Sequence, residues 1–583
     1  MPEARVLQQL VEALLFEGVA TWLRPQQQGP SRTNREFAFQ LARSSYVCCG
    51  QVGAFGRVRI SAGSVRKLGP RKASSASWKE VLADVPGVAP VEAAIAEELE
   101  NTVRLCRWNA HSLPELGRSR RGLDYEQLEH LLHEGHPYHP CFKSRTGFSV
   151  EDHAAYGPEA GRPFELRWLG VHRSVLRQTL PATESDLFSA ELGPRGWSAL
   201  SRELERAGAP LDQYGLLPVH PWQWRWLEQS PALTGALARR ELIALDAAAG
   251  RFRATQSLRT LLPVDRPGGA HLKLPMAVRV SSSLRTLQPE TVHAAPAVSG
   301  WLQKLVTADP FFEEVADAVV LAERASAAYA PNVAEAAALE SNLSAIWRDP
   351  IARHLRPGES ALPFNALFAI EPDERPHIEP WLASYGLVPW LQRLLHVSLM
   401  PLWRLLVHHG IALEAHAQNL ILVHRDGLPA RVALRDFHDS LEYVPSFLAR
   451  PDLVPDFSLL DPRFAGAPRG RYYAMSSERE LFELFADTVL IFNLTELSWM
   501  LERHCSFPES DFWRLARAVL AEYRCSRWHE PLREARLPAR APLLRSESLF
   551  KTRLRAASEK LLQHVVPNAL REPTERGIHV GYQ

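Results

Sequence analysis

The sequence predicts an α+β protein, in which helices and hairpins of antiparallel strands occupy separate stretches of the chain. Apolar residues recur at helical spacing over residues 6–15 and again over residues 91–103. Between these two helices, residues 37–65 carry short β-like runs that are broken by glycines. Two later segments combine short apolar runs with turn residues, which is typical of β-hairpins.

Length and composition indicate a globular protein with two or more domains. The chain has 583 residues, of which 46% are hydrophobic and 23% are charged. The net charge of +1 gives no general attraction to nucleic acid or to an acidic membrane, so no nucleic-acid partner is expected. No signal-peptide pattern opens the chain, and acids interrupt the apolar stretch 481–500. We therefore expect a cytoplasmic protein without membrane insertion.

Further along the chain, strand signals return over residues 164–175 and 254–280. Helical periodicity then dominates from residue 301 up to a hairpin near residue 420, and the segment 478–565 is predicted to be largely helical. A stretch rich in proline and arginine, residues 530–545, interrupts it. The six cysteines show no metal spacing and are expected to be buried thiols.

The first hairpin follows the sequence Glu-Ala-His-Ala-Gln-Asn at residues 414–419. Its two apolar runs, 420–424 and 430–434, flank a segment with Asp-Gly and Pro turn signals. A turn centred between Gly427 and Leu428 would place Asn419 opposite Asp436, within roughly 5–6 Å. An amide oxygen and carboxylates at one end of a hairpin would suit Mg²⁺. The alternative is a polar loop whose side chains cap backbone groups. The other polar side chains arriving there are Glu414, His416 and Gln418.

The second predicted hairpin lies earlier in the chain, with strands at residues 255–262 and 270–275, and brings basic side chains together. If its turn is centred at Arg266, Arg259 and Lys273 become cross-strand neighbours. Two like charges opposite each other destabilise a sheet, unless an anion lies between them. Arg285 and the serines at 281–283 add a guanidinium and hydroxyl donors. The alternative is that these cations extend from a solvated face.

A third candidate is the loop at residues 135–147, where two His-Pro steps exclude a continuous helix. Concentrated cations and histidines on such a loop indicate an anion-binding or acid–base site. A zinc site is disfavoured because an extended backbone does not stack His133 with its neighbours on one face. A similar His-Pro step at His220 is expected to be a buried core histidine. The candidate binding residues of the loop are His136, His139, Lys143 and Arg145.

Common nucleotide and hydrolase motifs are absent from the sequence: there is no phosphate-binding loop of the Gly-x-x-x-x-Gly-Lys-Ser/Thr type, no dinucleotide fingerprint, no Gly-x-Ser-x-Gly and no His-Glu-x-x-His. A nucleotide would have to bind to a less common architecture.

Taken together, these segments resemble the IucA/IucC family of siderophore synthetases. The resemblance rests on five blocks in the family's order: the His-Pro loop with Lys143 and Arg145, His220-Pro, Ser257-Leu-Arg259-Thr, Lys273 with Ser281, Ser282 and Arg285, and residues 414–419 with Arg435-Asp436. Ser281-Ser282 stands where many relatives have Thr-Ser, and a hydroxyl is retained.

The resemblance implies a cupped-hand architecture with a thumb (1–140), fingers (141–350) and a palm (351–583). The palm would be a mixed helical and antiparallel-sheet lobe distantly like protein kinases, which also hold metal with an Asn before and an Asp after a hairpin. The implied cofactors are ATP and Mg²⁺, and relatives are often homodimers.

The implied reaction is adenylation of a polycarboxylic acid by MgATP with release of pyrophosphate, followed by capture by an amine or alcohol. Citrate is the commonest acid of the family; 2-oxoglutarate or a citrate monoamide are alternatives. The roles carried over are as follows: ATP binding by Ser257, Arg259, Lys273, Ser282, Arg285, His416, Gln418 and Asp436; carboxylate binding by His136, His139, Lys143, Arg145, Ser281, Arg285 and His416; Mg²⁺ binding by Glu414, Asn419 and Asp436; and catalysis by His416, Arg285 and Lys273.

Charge supports this interpretation, because ATP with about four negative charges and a tricarboxylate with about three require Mg²⁺ and several cations to approach each other. Two other classes stay open. One is a small-molecule kinase that transfers the γ-phosphoryl group from the same palm. The other is a binding or scaffold subunit without catalysis, although every acidic, amide and basic position named above is present.

Overall fold

A computed structural model describes residues 2–23, 35–281, 283–555 and 562–571 of the chain. In these residues, helices accompany sheets that are almost entirely antiparallel, which confirms the predicted mixed α+β class. Among the described strands, only Ala318–Val320 and Leu428–Leu434 pair in parallel within a sheet.

Helices occur along the whole of the described chain. The α-helices are Pro2–Phe16, Trp78–Ala83, Glu92–Ser112, Tyr125–Leu131, Val150–Tyr156, Glu184–Arg206, Pro221–Leu227, Pro231–Ala238, Pro289–Ala308, Pro310–Glu314, Ala337–Glu340, Glu379–Tyr385, Leu387–Arg404, Phe457–Leu460, Glu478–Phe485, Thr495–Cys505, Glu509–Cys525, Pro531–Glu534 and Leu549–Leu554. Two π-helical turns, Leu405–His409 and Ala486–Leu494, continue the helices before them.

Three sheets make most of the β-structure. The N-terminal sheet has six strands: Thr21–Trp22, Arg35–Gln40, Ser45–Val52, Val58–Ile60, Arg66–Lys67 and Ser74–Ser75. The central sheet has seven, in the order Phe164–Glu165, Arg251–Ala254, Thr260–Pro263, His271–Lys273, Ser344–Arg348, Glu323–Tyr329 and Leu176–Thr179. The hairpin sheet has four, in the order Ala318–Val320, Leu428–Leu434, Leu420–Arg425 and Ser360–Pro363.

The remaining strands form small sheets. A three-stranded sheet has the order Tyr214–Val219, Arg167–His172 and Leu242–Leu245, and the two-stranded sheets are Arg279–Val280 with Ser283–Leu284, Ile411–Leu413 with Leu441–Tyr443, and Leu543–Glu547 with Gln563–Pro567.

Local sequence explains the N-terminal region well. The predicted first helix runs over Pro2–Phe16 and buries its apolar stripe, including Val6, Leu10 and Leu14, completely. It ends before Gly18, whose φ of 64° a side chain would oppose. The predicted β-like run contains Ser45–Val52, the strand that pairs with three others in the N-terminal sheet.

Buried apolar side chains gather in two large clusters. The larger draws on both ends of the chain, packing Leu10 and Leu14 together with Leu497 and Val566. The second lies entirely within residues 166–347 and surrounds the central sheet. Packing within these clusters brings together segments that are far apart along the chain.

The helical prediction between residue 301 and the hairpin is wrong in part. Five strands lie in that stretch: Ala318–Val320, Glu323–Tyr329, Ser344–Arg348, Ser360–Pro363 and Ile411–Leu413. Glu323–Tyr329 is rich in alanine and is buried on both faces, so it lacks the alternation that marks a half-buried strand. The C-terminal segment, predicted to be largely helical, also contains the strand Leu543–Glu547, which begins within the predicted interruption, and the start of Gln563–Pro567.

Two further expectations concern the cysteines and membrane insertion. All six cysteines are free, but Cys525 is exposed and only Cys48 and Cys141 are fully buried, so the prediction of buried thiols holds in part. The helical run Glu478–Cys505 is the one described stretch long and apolar enough to cross a bilayer, and 83% of its most apolar window is buried inside the protein.

Candidate active site

The hairpin at residues 420–434 has a shorter turn and longer strands than predicted. Leu420–Arg425 and Leu428–Leu434 are joined by a two-residue turn, Asp426-Gly427, with φ angles of 49° and 88°. Positive φ at both positions is what the tight turn of a twisted hairpin requires. The register also shifts by a bulge between Val423 and His424.

This register corrects the predicted pairing of Asn419 with Asp436. Leu420 pairs with Leu434, and the backbone N–H of Arg435 donates to the carbonyl of Asn419 at 3.2 Å. The two-residue turn is centred one residue before the predicted centre, and the bulge offsets about half of that shift. Arg435, not Asp436, therefore lies opposite Asn419. Asp436 follows directly, with a φ of 65°, so its side chain leaves the strand at a bend.

Asp436 is held by two cations from the central sheet. Nη1 of Arg348 lies 2.5 Å, and Nζ of Lys273 lies 3.3 Å, from the same carboxylate oxygen, Oδ1. Burial by itself would raise the pKa of Asp436, but Lys273, Arg348 and Arg435 outweigh it and hold this pKa well below its usual range. The carboxylate is therefore ionised at neutral pH.

The second predicted hairpin is also displaced by one residue. Thr260 pairs with Lys273, and the N–H of Leu274 donates to the carbonyl of Arg259, so Arg259 and Lys273 are not directly opposite. Residues 255–259 form a turn between strands Arg251–Ala254 and Thr260–Pro263, where the prediction had a strand. The two cations still lie at one end of the sheet, because both face acids of the segment that follows the first hairpin.

Arg259 and Arg285 form a cationic pair with few anionic partners. Arg259 donates to the carbonyl of Thr286 and lies 3.9 Å from a carboxylate oxygen of Asp439. Nε of Arg285 is buried without a hydrogen-bond partner among the described residues. Burial and the neighbouring charge of Arg259 lower the pKa of Arg285 to about 10. The unpartnered Nε of Arg285 and the neighbouring charge of Arg259 indicate a place where an anion would be stabilised.

The His-Pro loop folds back on itself through its histidines. Nδ1 of His136 accepts hydrogen bonds from the N–H groups of Tyr138 and His139. Nδ1 of His139 accepts one from the N–H of Cys141, whereas its Nε2 is buried without a partner among the described residues. Burial lowers the pKa of His139 to about 3, so the ring is neutral and its Nε2–H is a free donor.

Lys143 and Arg145 are not free cations as the sequence suggested, because Glu159 occupies both. Arg145 binds the two oxygens of Glu159 at 2.8 and 2.9 Å, and Lys143 makes an ion pair with the same carboxylate. Burial would raise the pKa of Glu159, but these two cations keep it well below its usual range. Lys143, Arg145 and Glu159 together therefore carry a net charge of about +1.

The histidine before the hairpin, His416, has its Nδ1 bonded to the N–H of Gln418 at 3.2 Å. Its Nε2 lies 3.7 Å from Glu414. Burial lowers the pKa of His416 to about 4, so it acts as a neutral donor at pH 7. The side chain of Glu414 is 43% exposed and faces the interior of a cleft, where burial and the acids Asp439 and Glu547 raise its pKa to about 7.

These segments border one cleft of about 710 Å³. A cavity of this size suits a nucleotide or drug-sized ligand. Four predicted site residues are not among those that line it: Arg259, Lys273, Asn419 and Asp436. Arg259 and Asn419 directly follow the lining residues Leu258 and Gln418, and Ser282 lies outside the described residues. The predicted site residues that line the cleft are His136, His139, Lys143, Arg145, Ser257, Ser281, Arg285, Glu414, His416 and Gln418.

Backbone strain concentrates at this cleft. Nine described non-glycine residues have positive φ. Four of them belong to the site: Arg145, Leu258, Ser281 and Asp436, with φ between 37° and 68°. Each such conformation costs on the order of 1–3 kcal/mol and persists where surrounding structure enforces it, most often at functional sites.

A comparison with protein families matches residues 124–369 to the IucA / IucC family. The chain is 33% identical over 585 residues to a citryl-spermidine/3,4-dihydroxybenzoyl-citryl-spermidine:spermidine ligase of Bacillus anthracis, covering 97% of this chain and 93% of the relative. The chain belongs to the IucA/IucC family. Residues 389–562 also match a model described as a ferric iron reductase FhuF-like transporter.

Two solved structures and a further relative are similar to this chain. The crystal structure of the petrobactin biosynthesis protein AsbB of Bacillus anthracis superposes with a TM-score of 0.88 at 31% identity, covering 98% of this chain and 95% of AsbB. The aerobactin synthetase IucC of Klebsiella pneumoniae shares the fold, with a TM-score of 0.80 at 24% identity over 98% of this chain and 97% of IucC. An aerobactin synthase of Escherichia coli is 30% identical over 432 residues, covering 70% of this chain and 71% of the relative.

Several residues of this family member were missed by the sequence interpretation. Arg348 lies on a strand within a stretch predicted to be helical, so nothing marked it as a partner of Asp436. Glu159 belongs to none of the motifs found in the sequence. Asp439 could have been found, since it follows Asp436 closely and is another acid next to the hairpin. Arg435 was noticed without a role; it is buried in an ion pair with Glu129.

Proposed function

We propose that this chain is a siderophore synthetase that adenylates citrate with ATP and joins the activated carboxyl group to an amine. The observation that carries the proposal is that ten predicted residues from separate segments line one cleft. The relatives support the reaction class, since their names include a citryl-spermidine:spermidine ligase and an L-2,3-diaminopropanoate–citrate ligase.

In the first step, a carboxylate oxygen of citrate attacks the α-phosphorus of ATP, and the bond to the β-phosphate breaks to release pyrophosphate. The reacting groups repel one another, because both are anionic. Arg259, Lys273 and Arg285 provide the opposing charge, and the neutral Nε2–H of His416 can donate to an α-phosphate oxygen as negative charge develops. Ser257 and Gln418 complete the proposed nucleotide contacts.

The citrate carboxylates are proposed to contact His139, Ser281 and Arg285 directly. His139 offers a buried donor that lacks a partner, and Arg285 an unpartnered Nε. Lys143 and Arg145 already share Glu159, so we propose that they act mainly by shaping the loop that also carries His136. The negative charge of the acid would therefore meet donor groups of the cleft that have no partner within the protein.

The residues also fit a magnesium ion. Asn419 provides an amide oxygen, and Glu414 and Asp436 provide carboxylates, the donors that Mg²⁺ prefers. Arg348 and Lys273 both contact Oδ1 of Asp436, which leaves its Oδ2 for a cation. Mg²⁺ bound there would offset phosphate charge. Zinc at the His-Pro loop is not supported, because no described group of metal-ligand side chains within bonding distance of one another includes His133, His136 or His139.

In the second step, the amine nitrogen attacks the acyl carbon, the bond between that carbon and the AMP oxygen breaks, and the amine loses a proton. Positioning of the amine next to the acyl group can supply much of the rate of this step. We also propose the finer architecture implied above: thumb, fingers and palm divided near residues 140 and 350, a palm distantly like protein kinases, a homodimer and a cytoplasmic location.

The test is a product assay with ATP, Mg²⁺, citrate and a panel of amines. The proposal expects pyrophosphate and AMP in equal amounts, both dependent on citrate, and an amide product by mass spectrometry. Panels that replace citrate with 2-oxoglutarate or a citrate monoamide identify the acid. Release of ADP without pyrophosphate would instead establish a kinase, and no nucleotide turnover with any acid would leave a binding protein.

A further inference from the structure

One polar side chain of the first helix is buried where apolar residues are expected. Gln9 belongs to helix Pro2–Phe16, is only 4% exposed and is among the residues that line the cleft. Glutamine is usually exposed, because burying an amide group costs free energy unless its nitrogen and its oxygen are both hydrogen-bonded. The partners of this amide therefore indicate what the side chain does.

The nitrogen of the amide holds the His-Pro loop. Nε2 of Gln9 donates to the carbonyl of Pro137 at 2.7 Å and to the carbonyl of His136 at 3.2 Å. Turning the amide over would place its oxygen against these two carbonyls, which are both acceptors. The two contacts therefore fix which end of the amide is nitrogen, and they leave Oε1 on the side away from these carbonyls.

The oxygen of the same amide lacks a partner. Oε1 of Gln9 is buried and accepts no hydrogen bond from the residues that the structure describes. Leaving a buried amide oxygen unpaired is costly, and native proteins rarely do so. A donor from a ligand or from a buried water would complete this position.

Gln9 lies next to groups that are proposed above to bind the acid. The N–H of His139 donates to Nδ1 of His136 at 3.0 Å, so the loop residues that Gln9 holds also set the position of His139. Nε2 of His139 and Nε of Arg285 are donors without described partners, and both residues line the same cleft. Gln9 adds the opposite group, an acceptor, which a carboxylate cannot satisfy.

Citrate matches this combination of groups. Its carboxylates accept hydrogen bonds, and its hydroxyl is the only donor that it carries when fully ionised. ATP has donors on its ribose and its adenine, but its proposed contacts Ser257 and Gln418 lie outside the loop that Gln9 holds. The lining contains another unpaired acceptor, Oδ1 of Asn365, but that side chain hydrogen-bonds to Gln256. Of these two acceptors, Gln9 is the one bonded to the loop proposed to bind the acid.

We propose that Oε1 of Gln9 accepts a hydrogen bond from the hydroxyl group of citrate while the citrate carboxylates contact His139 and Arg285. This inference rests on the proposed function and adds to it a residue that selects the acid. A site that pairs a buried acceptor with a substrate hydroxyl discriminates against acids that lack the hydroxyl, because the acceptor is then left unpaired. One end of the Gln9 amide thus holds the loop, and the other recognises the acid.

The test compares citrate with tricarballylate, in which hydrogen replaces the hydroxyl, and with the analogue that carries fluorine at the same carbon. Fluorine cannot donate a hydrogen bond. Pyrophosphate release is measured with the full-length protein, ATP, Mg²⁺ and hydroxylamine as a common acceptor, so that only the acid varies. The wild-type protein is expected to use citrate with a kcat/KM at least about tenfold above that for either analogue, as one hydrogen bond to a buried acceptor would give.

Gln9→Met removes the acceptor and keeps the length of the side chain, so the preference for citrate over tricarballylate should fall about tenfold. Loss of the contacts to the loop carbonyls would change kcat/KM for both acids alike, and the ratio of the two values is insensitive to it. Gln9→Lys keeps a donor for these carbonyls and removes only the acceptor, so it should lose the same preference and serves as the test if Gln9→Met does not fold. The matched control is Asn365→Leu, which removes the other unpaired acceptor and should keep the preference.

Three results would overturn the inference: wild-type protein that uses the fluorinated analogue as well as citrate, Gln9 variants that change kcat/KM for citrate and tricarballylate by the same factor, or loss of the preference in Asn365→Leu but not in Gln9→Met. The second result would mean that a buried water pairs with Oε1 and that Gln9 only supports the loop. Failure of the proposed function looks different, because no acid would then cause pyrophosphate release and the inference would fall with it. Activation of all the acids without preference for the hydroxyl would refute the inference alone.

Discussion

Replacing Asp436 by Asn tests the centre of the proposed site. Arg348 and Lys273 converge on one oxygen of this carboxylate, and their side chains are 2% and 6% exposed. Asn keeps the shape of the residue and tolerates the φ of 65° at this position, whereas Ala would add backbone strain. The substitution therefore removes the charge and little else.

Removing one partner of a buried ion pair typically costs about 3–5 kcal/mol, because the remaining charges are left uncompensated. Asp436 has two cationic partners, so we expect Asp436→Asn to lower the free energy of unfolding by about that amount. The proposed ligation reaction should also fall at least about a hundredfold, since the proposed Mg²⁺ site loses a charged ligand. Urea unfolding followed by tryptophan fluorescence, and pyrophosphate release, measure the two effects.

The pH dependence provides a second reading of the same variant. The pKa of Asp436 is depressed in the folded protein, so its contribution to stability is complete above the unfolded pKa of about 3.9 and is lost as the pH falls below it. The stability difference between wild type and Asp436→Asn should therefore be constant from pH 5 to 8 and shrink in acid.

The control for this experiment is a substitution in an exposed ion pair. Asp452→Asn, at an exposed pair with Arg450, should leave both the unfolding midpoint and the rate unchanged. If Asp436→Asn unfolds at the wild-type urea concentration, the two cations do not depend on this carboxylate. If it retains the wild-type rate, Asp436 has no part in binding phosphate or metal.

Two further predictions concern a histidine of the cleft and a buried glutamate outside its lining. His139→Asn keeps an acceptor for the N–H of Cys141 but removes the free Nε2, so the KM for citrate should rise about tenfold while the KM for ATP stays unchanged. The control is His220→Asn, at a matching His-Pro step outside the cleft, which should change neither KM. Equal effects of both variants would contradict the assignment. Burial raises the pKa of Glu17 from 4.5 to about 7, so the folded state binds the extra proton and stability falls as pH rises through this window. Glu17→Gln should remove a pH-dependent loss of about 3 kcal/mol between pH 4.5 and 7, and an unchanged slope in urea unfolding would refute this origin.

Local features of the fold were predictable because their causes act over a few residues. The first helix follows from an apolar stripe before Gly18, and the hairpin at 420–434 from an Asp-Gly turn between apolar runs. The His-Pro loop follows from prolines that exclude a helix. The register of both hairpins was missed by one residue, because a bulge or a change in turn length leaves little trace in the pattern of apolar residues.

The sequence by itself determined which chemical groups the site contains, and their order along the chain placed it in a family. Only the tertiary structure decided which of these groups are free. Arg348 reaches Asp436 across 88 residues because two strands of the central sheet end beside the hairpin, and Glu159 takes up Lys143 and Arg145. Partners of this kind depend on which elements become neighbours, and the charge of each group depends on burial. Neither property can be read from spacing along one chain.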